Sequence, residues 1–169
     1  MEDLLRIIKA CSPEHLEWIK TLFREYVGFL GNDLSFQNFE QELARLPGYY
    51  GPPAGDLLLA LYNGKPAGCV AVRRITSEIC EMKRLFVRPE YRKYGIGKAL
   101  ALEIIASSRR LGYQKMRLDS LTTLADAVKL YRKLGFYEIE AYCHNPLAGA
   151  VFMELDLENK EDFKCRLSM

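Results

Sequence analysis

The run "LLRIIKA" at 4–10 predicts a first strand, and Ser12-Pro13 then offers a helix cap followed by a proline suited to the first helical position. Leu16, Ile19, Phe23, Tyr26, Val27 and Leu30 recur at helical spacing, which predicts an amphipathic helix over 13–30. Phe36, Phe39, Leu43 and Leu46 predict a second, shorter helix over 36–46. The segment 47–55 holds three glycines and three prolines in nine residues and is a loop by composition. "DLLLALY" at 56–62 is apolar on both faces, which predicts an internal strand. Asn63-Gly64 is a hairpin turn signal leading into strands over 66–75 and 78–87, so an antiparallel meander is expected.

The pattern changes period at "RPEYRKYGIGKAL", residues 88–100. Beyond it Gly97, Leu100, Ala101, Ile104, Ile105, Ser108 and Leu111 share one helical face, and Gly112 ends that helix. A strand over 113–120 follows, then a capping-box pattern at Thr123 and Asp126, and a helix over 124–134 that Gly135 stops. Segments 136–142 and 149–157 predict a closing hairpin around the loop "CHNPLAG" at 143–149. The order β-α-α-β-β-β-α-β-α-β-β predicts an α/β protein with a mixed sheet and helices on both faces. One domain is expected over 1–157, with 158–169 a weakly periodic, partly disordered tail.

Composition narrows this only a little. The chain has 169 residues, 49% hydrophobic and 27% charged, with a net charge of +2, so any electropositive site must be local. Arg73, Arg74, Lys83, Arg84, Arg109 and Arg110 fall on different elements without an aromatic platform, which argues against nucleic acid as a partner. The five scattered cysteines form no CxxC pair and read as small buried hydrophobes rather than a disulfide framework or a metal site. No signal peptide and no apolar run of about 18 residues is evident, so no membrane partner and a cytoplasmic location are expected.

The chemistry concentrates at the change of period. A helix start offers unpaired N–H groups and partial positive charge, and glycines let an anion come close to them. Gly95 and Gly97 lie there, with Arg92, Lys93 and Lys98 adding charge, which points to phosphate binding. The dinucleotide fingerprint GxGxxG fails at Leu100, and the Walker pattern fails at Arg92 and Ala99.

Arg92-x-x-Gly95-x-Gly97 after a strand, with "YRKLGF" about forty residues on, closely resembles the GCN5-related N-acetyltransferase (GNAT) superfamily, and in particular its small bacterial single-domain members. The match is strongest over 56–156. The resemblance implies a sheet splayed open between the strand ending at Val87 and the strand at 113–120, with acetyl-CoA as cofactor and no metal. It implies that the backbone of Leu85, Phe86 and Val87 pairs with the pantetheine arm. Arg92, Lys93, Tyr94, Gly95, Ile96, Gly97 and Lys98 would then cradle the pyrophosphate, and Lys133 would reach the phosphates. Tyr131 matches the general acid that protonates the departing thiolate, and Glu81 stands where some members place a general base. A carboxylate in the apolar strand between Cys80 and Met82 would have a raised pKa, suited to that role. An ion pair with a residue such as Arg117, Glu78 as the base, and a water relay stay open as alternatives. Many members carry Asn where this chain has Leu124, which removes one contact to the pantetheine arm.

The expected reaction is direct transfer of an acetyl group to a primary amine, on a small molecule or a peptide. The alternative is a non-catalytic module that senses acyl-CoA. Tyr49, Tyr50, Tyr142, His144 and Asn145 lie in the variable loops, and Tyr50, Tyr142, His144 and Asn145 are the candidate acceptor contacts. Homodimers are common in the family, and nothing in the sequence selects one.

Overall fold

The computed structural model describes residues 4–31 and 38–159. Its elements in chain order are β1 (Leu5–Lys9), α1 (Pro13–Leu30), α2 (Phe39–Ala44), β2 (Asp56–Tyr62), β3 (Lys65–Arg74), β4 (Ile79–Val87), α3 (Ile96–Arg110), β5 (Lys115–Leu121), α4 (Ala125–Leu134), β6 (Tyr137–Ile139) and β7 (Ala150–Asp156). They build one seven-stranded sheet in the order β1-β2-β3-β4-β5-β7-β6. Every neighbouring pair is antiparallel except β4 with β5, which α3 connects; α4 carries the chain from β5 past β7's place to β6.

Two apolar layers hold the helices to the sheet. On one face Ile96, Leu100, Ile104 and Ile105 of α3, with Val128, Tyr131 and Leu134 of α4, pack on Val70, Val72, Met82 and Met116. On the other, Ile19, Leu22 and Phe23 of α1, with Phe39 and Leu43 of α2, pack on Leu57, Leu59, Cys69 and Phe86. Strand β2, with every residue from Asp56 to Leu61 buried, serves both layers, as its uninterrupted apolar run predicts. Gly68 lets α3 settle on the sheet, since a Cβ there would lie 2.7 Å from the Phe86 carbonyl oxygen and 3.2 Å from Leu100 Cδ1. Ser107 of α3 ties down the same face by donating to Asp56 Oδ2 at 2.6 Å.

Local signals explain most boundaries. Ser12 caps α1 by accepting from the His15 N–H at 3.1 Å, with Pro13 at the first position. Helix α2 ends at Ala44, short of the expected 46, because Leu46 precedes Pro47 and is biased away from helical backbone. The expected start at Phe36 lies outside the described residues. The capping box at Thr123 does not form: Leu124 is the cap of α4 and makes no side-chain bond. The closing hairpin is antiparallel as expected, but β6 is only three residues long, because Tyr142 leaves the sheet to bond Glu81. The tail from residue 160 lies outside the described residues.

One irregularity shapes everything that follows. Cys69 pairs with Phe86 and Ala71 with Lys83, so Arg84 and Leu85 together oppose Val70 in a bulge, and Arg84 sits at φ 60. Past this point β4 bends away from β5, with which it pairs only over Ile79, Cys80 and Glu81.

Candidate active site

Strand β4 runs out at Val87 into a 3-10 turn, Pro89–Tyr94, and Gly95 turns the chain into α3 at φ 72, a left-handed conformation that glycine adopts without strain. Gly97 is different. Its Cβ would meet only Val87 Cγ2, at an ordinary 3.7 Å, so nothing in the fold requires glycine there. The missing side chain opens the first turn of α3 to whatever lies outside it. Among the described residues Lys93 and Lys98 form no ion pair, leaving their charge for an anion. Tyr94 stacks on Tyr62 with centroids 4.6 Å apart, and Ile96 is buried beneath the turn. Arg92 donates from Nε to the Val87 carbonyl at 2.9 Å, and its guanidinium lies 4.3 Å from the Phe29 ring centre.

The expected splay is present. Beyond Glu81 the edge of β4 that faces β5 has no strand partner among the described residues, so backbone groups of Met82–Val87 border an open gap. A cavity of about 60 Å³ lies in it, between Lys83, Arg84 and Leu85 on one side and Asp119 and Ser120 on the other. Tyr131 of α4 closes its floor. That ring is 7% exposed and packs against Phe136, and among the described residues its hydroxyl has no hydrogen-bond partner. Burial, aided by Tyr26 and Asp119, holds its pKa well above the ordinary tyrosine value, so the phenol keeps its proton. Leu124 lines the same cavity and gives it an apolar patch where many family members have an amide.

Glu81 departs from expectation. Burial alone would raise its pKa, but Lys83 at 4.0 Å, Arg73 Nε at 2.8 Å and a hydrogen bond from the Tyr142 hydroxyl at 2.6 Å outweigh it and hold the carboxyl below its ordinary value. Arg117 does not pair with it, being bonded to Glu154 at 2.8 Å. The reason is geometric: Arg73 is directly opposite Glu81 across the β3–β4 ladder. Tyr142 packs edge-on against Phe152, so the loop after β6 is pinned to the closed end of the gap.

A second, half-buried carboxylate is held in a similar way. Glu42 of α2 receives both Nε and Nη2 of Arg84, at 2.9 and 3.2 Å, and the Tyr50 hydroxyl at 2.5 Å. The bulge is thus latched from the α1–α2 side. Asn145 donates to Asp119 at 2.9 Å and accepts from the Leu147 N–H at 3.1 Å, which fixes the last loop over the cavity. His144 is exposed and does not line the gap. Lys133 lines a separate shallow groove with Lys129 and Arg132. Burial pushes the Cys143 thiol up to about 11 and the Cys80 thiol up to about 12, so neither is a thiolate at neutral pH.

The sequence reading missed the Arg84–Glu42 latch, Asp119 and the Arg73–Glu81 pair. Ladder register would have found the last. Nothing in composition marks an arginine that adopts positive φ.

The profile of the Acetyltransferase (GNAT) family matches residues 15–136, and the chain belongs to that family. It is 46% identical to an uncharacterised N-acetyltransferase of Schizosaccharomyces pombe over 86% of this chain and 90% of that one. It is 31% identical to another from Dictyostelium discoideum, over 92% and 100% respectively. Among solved structures, a GNAT-family acetyltransferase of Staphylococcus aureus superposes with a TM-score of 0.76 at 21% identity, covering 90% of this chain and 99% of that one. The PaiA N-acetyltransferase of Thermoplasma acidophilum, in complex with coenzyme A, does so with a TM-score of 0.68 at 22% identity, covering 90% and 98%. The two sequence relatives are eukaryotic, so the likeness is not confined to small bacterial proteins.

Proposed function

We propose that the chain is an acetyl-CoA-dependent N-acetyltransferase that moves the acetyl group directly to an amine. The observation that carries this is the open Gly97 turn of α3, reached along the edge of β4 from a gap lined by a protonated Tyr131; among the described residues that edge has no strand partner and the Tyr131 hydroxyl no hydrogen bond. The residues fit acetyl-CoA: N–H groups of α3 with Lys93 and Lys98 take the pyrophosphate, and the free edge at Leu85, Phe86 and Val87 takes the amide-bearing arm. Bound there, acetyl-CoA supplies an activated acetyl group.

The neutral amine attacks the acetyl carbonyl carbon. The new C–N bond forms as the C–S bond breaks, and Tyr131 donates its proton to the leaving sulfur. Tyr131 regains a proton from solvent, to which the amine's surplus proton departs through water. Glu81, ionised and bonded on both oxygens, anchors Tyr142 and Arg73 rather than taking the proton itself. Protonated thiols at Cys80 and Cys143 favour direct transfer over a covalent acyl-cysteine.

Calorimetric titration with acetyl-CoA, with dephospho-CoA and ATP as controls, tests the reading. Micromolar binding that prefers acetyl-CoA is expected. Absence of binding to the folded protein would overturn it.

A further inference from the structure

Beside the gap lies a second cavity, of about 360 Å³, walled by Asn38, Gln41, Arg45 and Tyr49 together with Glu42 and Arg73. Its volume is within the range of small-molecule sites. It adjoins the gap through two ion pairs, Glu42 with Arg84 at 2.9 Å and Arg73 with Glu81 at 2.8 Å. Arg84 lines the first cavity and Glu42 the second, so that ion pair bridges them.

The charges in this cavity do not balance. Glu42 is its one carboxylate among the described residues, and both its oxygens already accept, from Arg84 and from Tyr50. Arg73 uses Nε on Glu81, and among the described residues its two terminal nitrogens make no hydrogen bond. Arg45 makes neither a hydrogen bond nor an ion pair there. Two guanidinium groups therefore line a cavity whose one carboxylate, among the described residues, is already engaged. A guanidinium fork matches a carboxylate with two parallel hydrogen bonds. A polyamine would instead bring positive charge against both arginines.

We propose that the acceptor is a small amine that also carries a carboxylate, an amino acid in chemical class, its carboxylate held by Arg45 and Arg73 and its amine directed past the Glu42–Arg84 pair toward the gap. This rests on the acetyltransferase reading above and goes further by assigning the substrate class. Tyr50 contributes as the wall that keeps Glu42 occupied, and Tyr49, 79% exposed, stands at the rim.

The test follows thiol release from acetyl-CoA with free amino acids, with their carboxamides and with spermidine, after acetyl-CoA binding has been measured separately. Free amino acids should be consumed, with kcat/KM at least about tenfold above the matching carboxamides, the factor expected for a lost charge-assisted bond. Arg45→Gln, which removes no hydrogen bond or ion pair among the described residues, should raise the acceptor KM by a similar factor and leave the KM for acetyl-CoA unchanged. Arg73→Lys, which keeps the charge opposite Glu81 but loses the fork, should raise the acceptor KM as well. If carboxamides or spermidine are used as well as the acids, the proposal is overturned. It is equally overturned if no carboxylate-bearing amine is accepted by a protein that binds acetyl-CoA, or if Arg45→Gln leaves the acceptor KM unaltered. Loss of acetyl-CoA binding itself would instead remove the acetyltransferase reading and this one with it.

Discussion

The two halves of β4 share a strand and little else. Over Ile79–Glu81 the backbone is laddered on both edges, so function falls to side chains, and Glu81 gathers Arg73, Lys83 and Tyr142 around one carboxylate. Past Met82 one edge is free, and the working groups become the N–H and C=O of the backbone and the helix start to which it leads. The Arg84 bulge, fastened by Glu42, is the point where one regime gives way to the other. A strand can thus hold a rigid polar anchor at one end and an empty backbone slot at the other, provided something outside the sheet enforces the bend.

The comparison breaks most sharply at the open end. Gly97→Asp puts bulk and negative charge where a pyrophosphate would lie, and affinity for acetyl-CoA should fall by more than about a hundredfold, the loss of two or so charge-assisted bonds. Because a Cβ at 97 meets only Val87 Cγ2 at 3.7 Å, the variant should fold and melt close to the wild type. Normal affinity in a folded variant would show that the open turn is not the phosphate site. Tyr131→Phe removes a hydroxyl with no bond among the described residues, so stability and acetyl-CoA affinity should change little. Turnover should drop by about a hundredfold, a typical contribution of a positioned proton donor. Unchanged turnover would exclude it as the acid.

What was legible in the sequence divides along the same line. The open half could be read because its requirements are local: a glycine where the fold tolerates any residue, cations within a few positions, and a tyrosine at fixed spacing in α4. Helix α1, its Ser12 cap, the meander and the glycine stops were legible for the same reason. The closed half could not be read, because its chemistry is set by who stands across a ladder. Glu81 looked like a carboxylate in an apolar strand, and neighbours in sequence suggest a raised pKa. Its neighbours in space, Arg73 from β3 and Tyr142 from a loop sixty-one residues on, reverse that direction. The latch between Arg84 and Glu42 spans 42 residues and joins two elements with no shared motif.

The smallest expected effect concerns that closed half, and it separates an anchor from a base. The folded-state pKa of Glu81 lies below its unfolded value of about 4.3, so its ionised form adds stability at neutral pH that is lost as pH falls through the folded value. Glu81→Gln should therefore lower stability by about 2 kcal/mol at pH 7, the scale of a charge-assisted bond, and by progressively less below about pH 4. Urea unfolding at neutral and acid pH measures this difference. The same variant should slow the reaction while leaving the alkaline-rising limb of its pH–rate profile in place. An anchor shapes the site without exchanging protons with the substrate. If the limb instead moves to higher pH, Glu81 takes the proton, the two halves of β4 do not divide the work as structure and slot, and the water path proposed for the amine's proton would give way to the carboxylate.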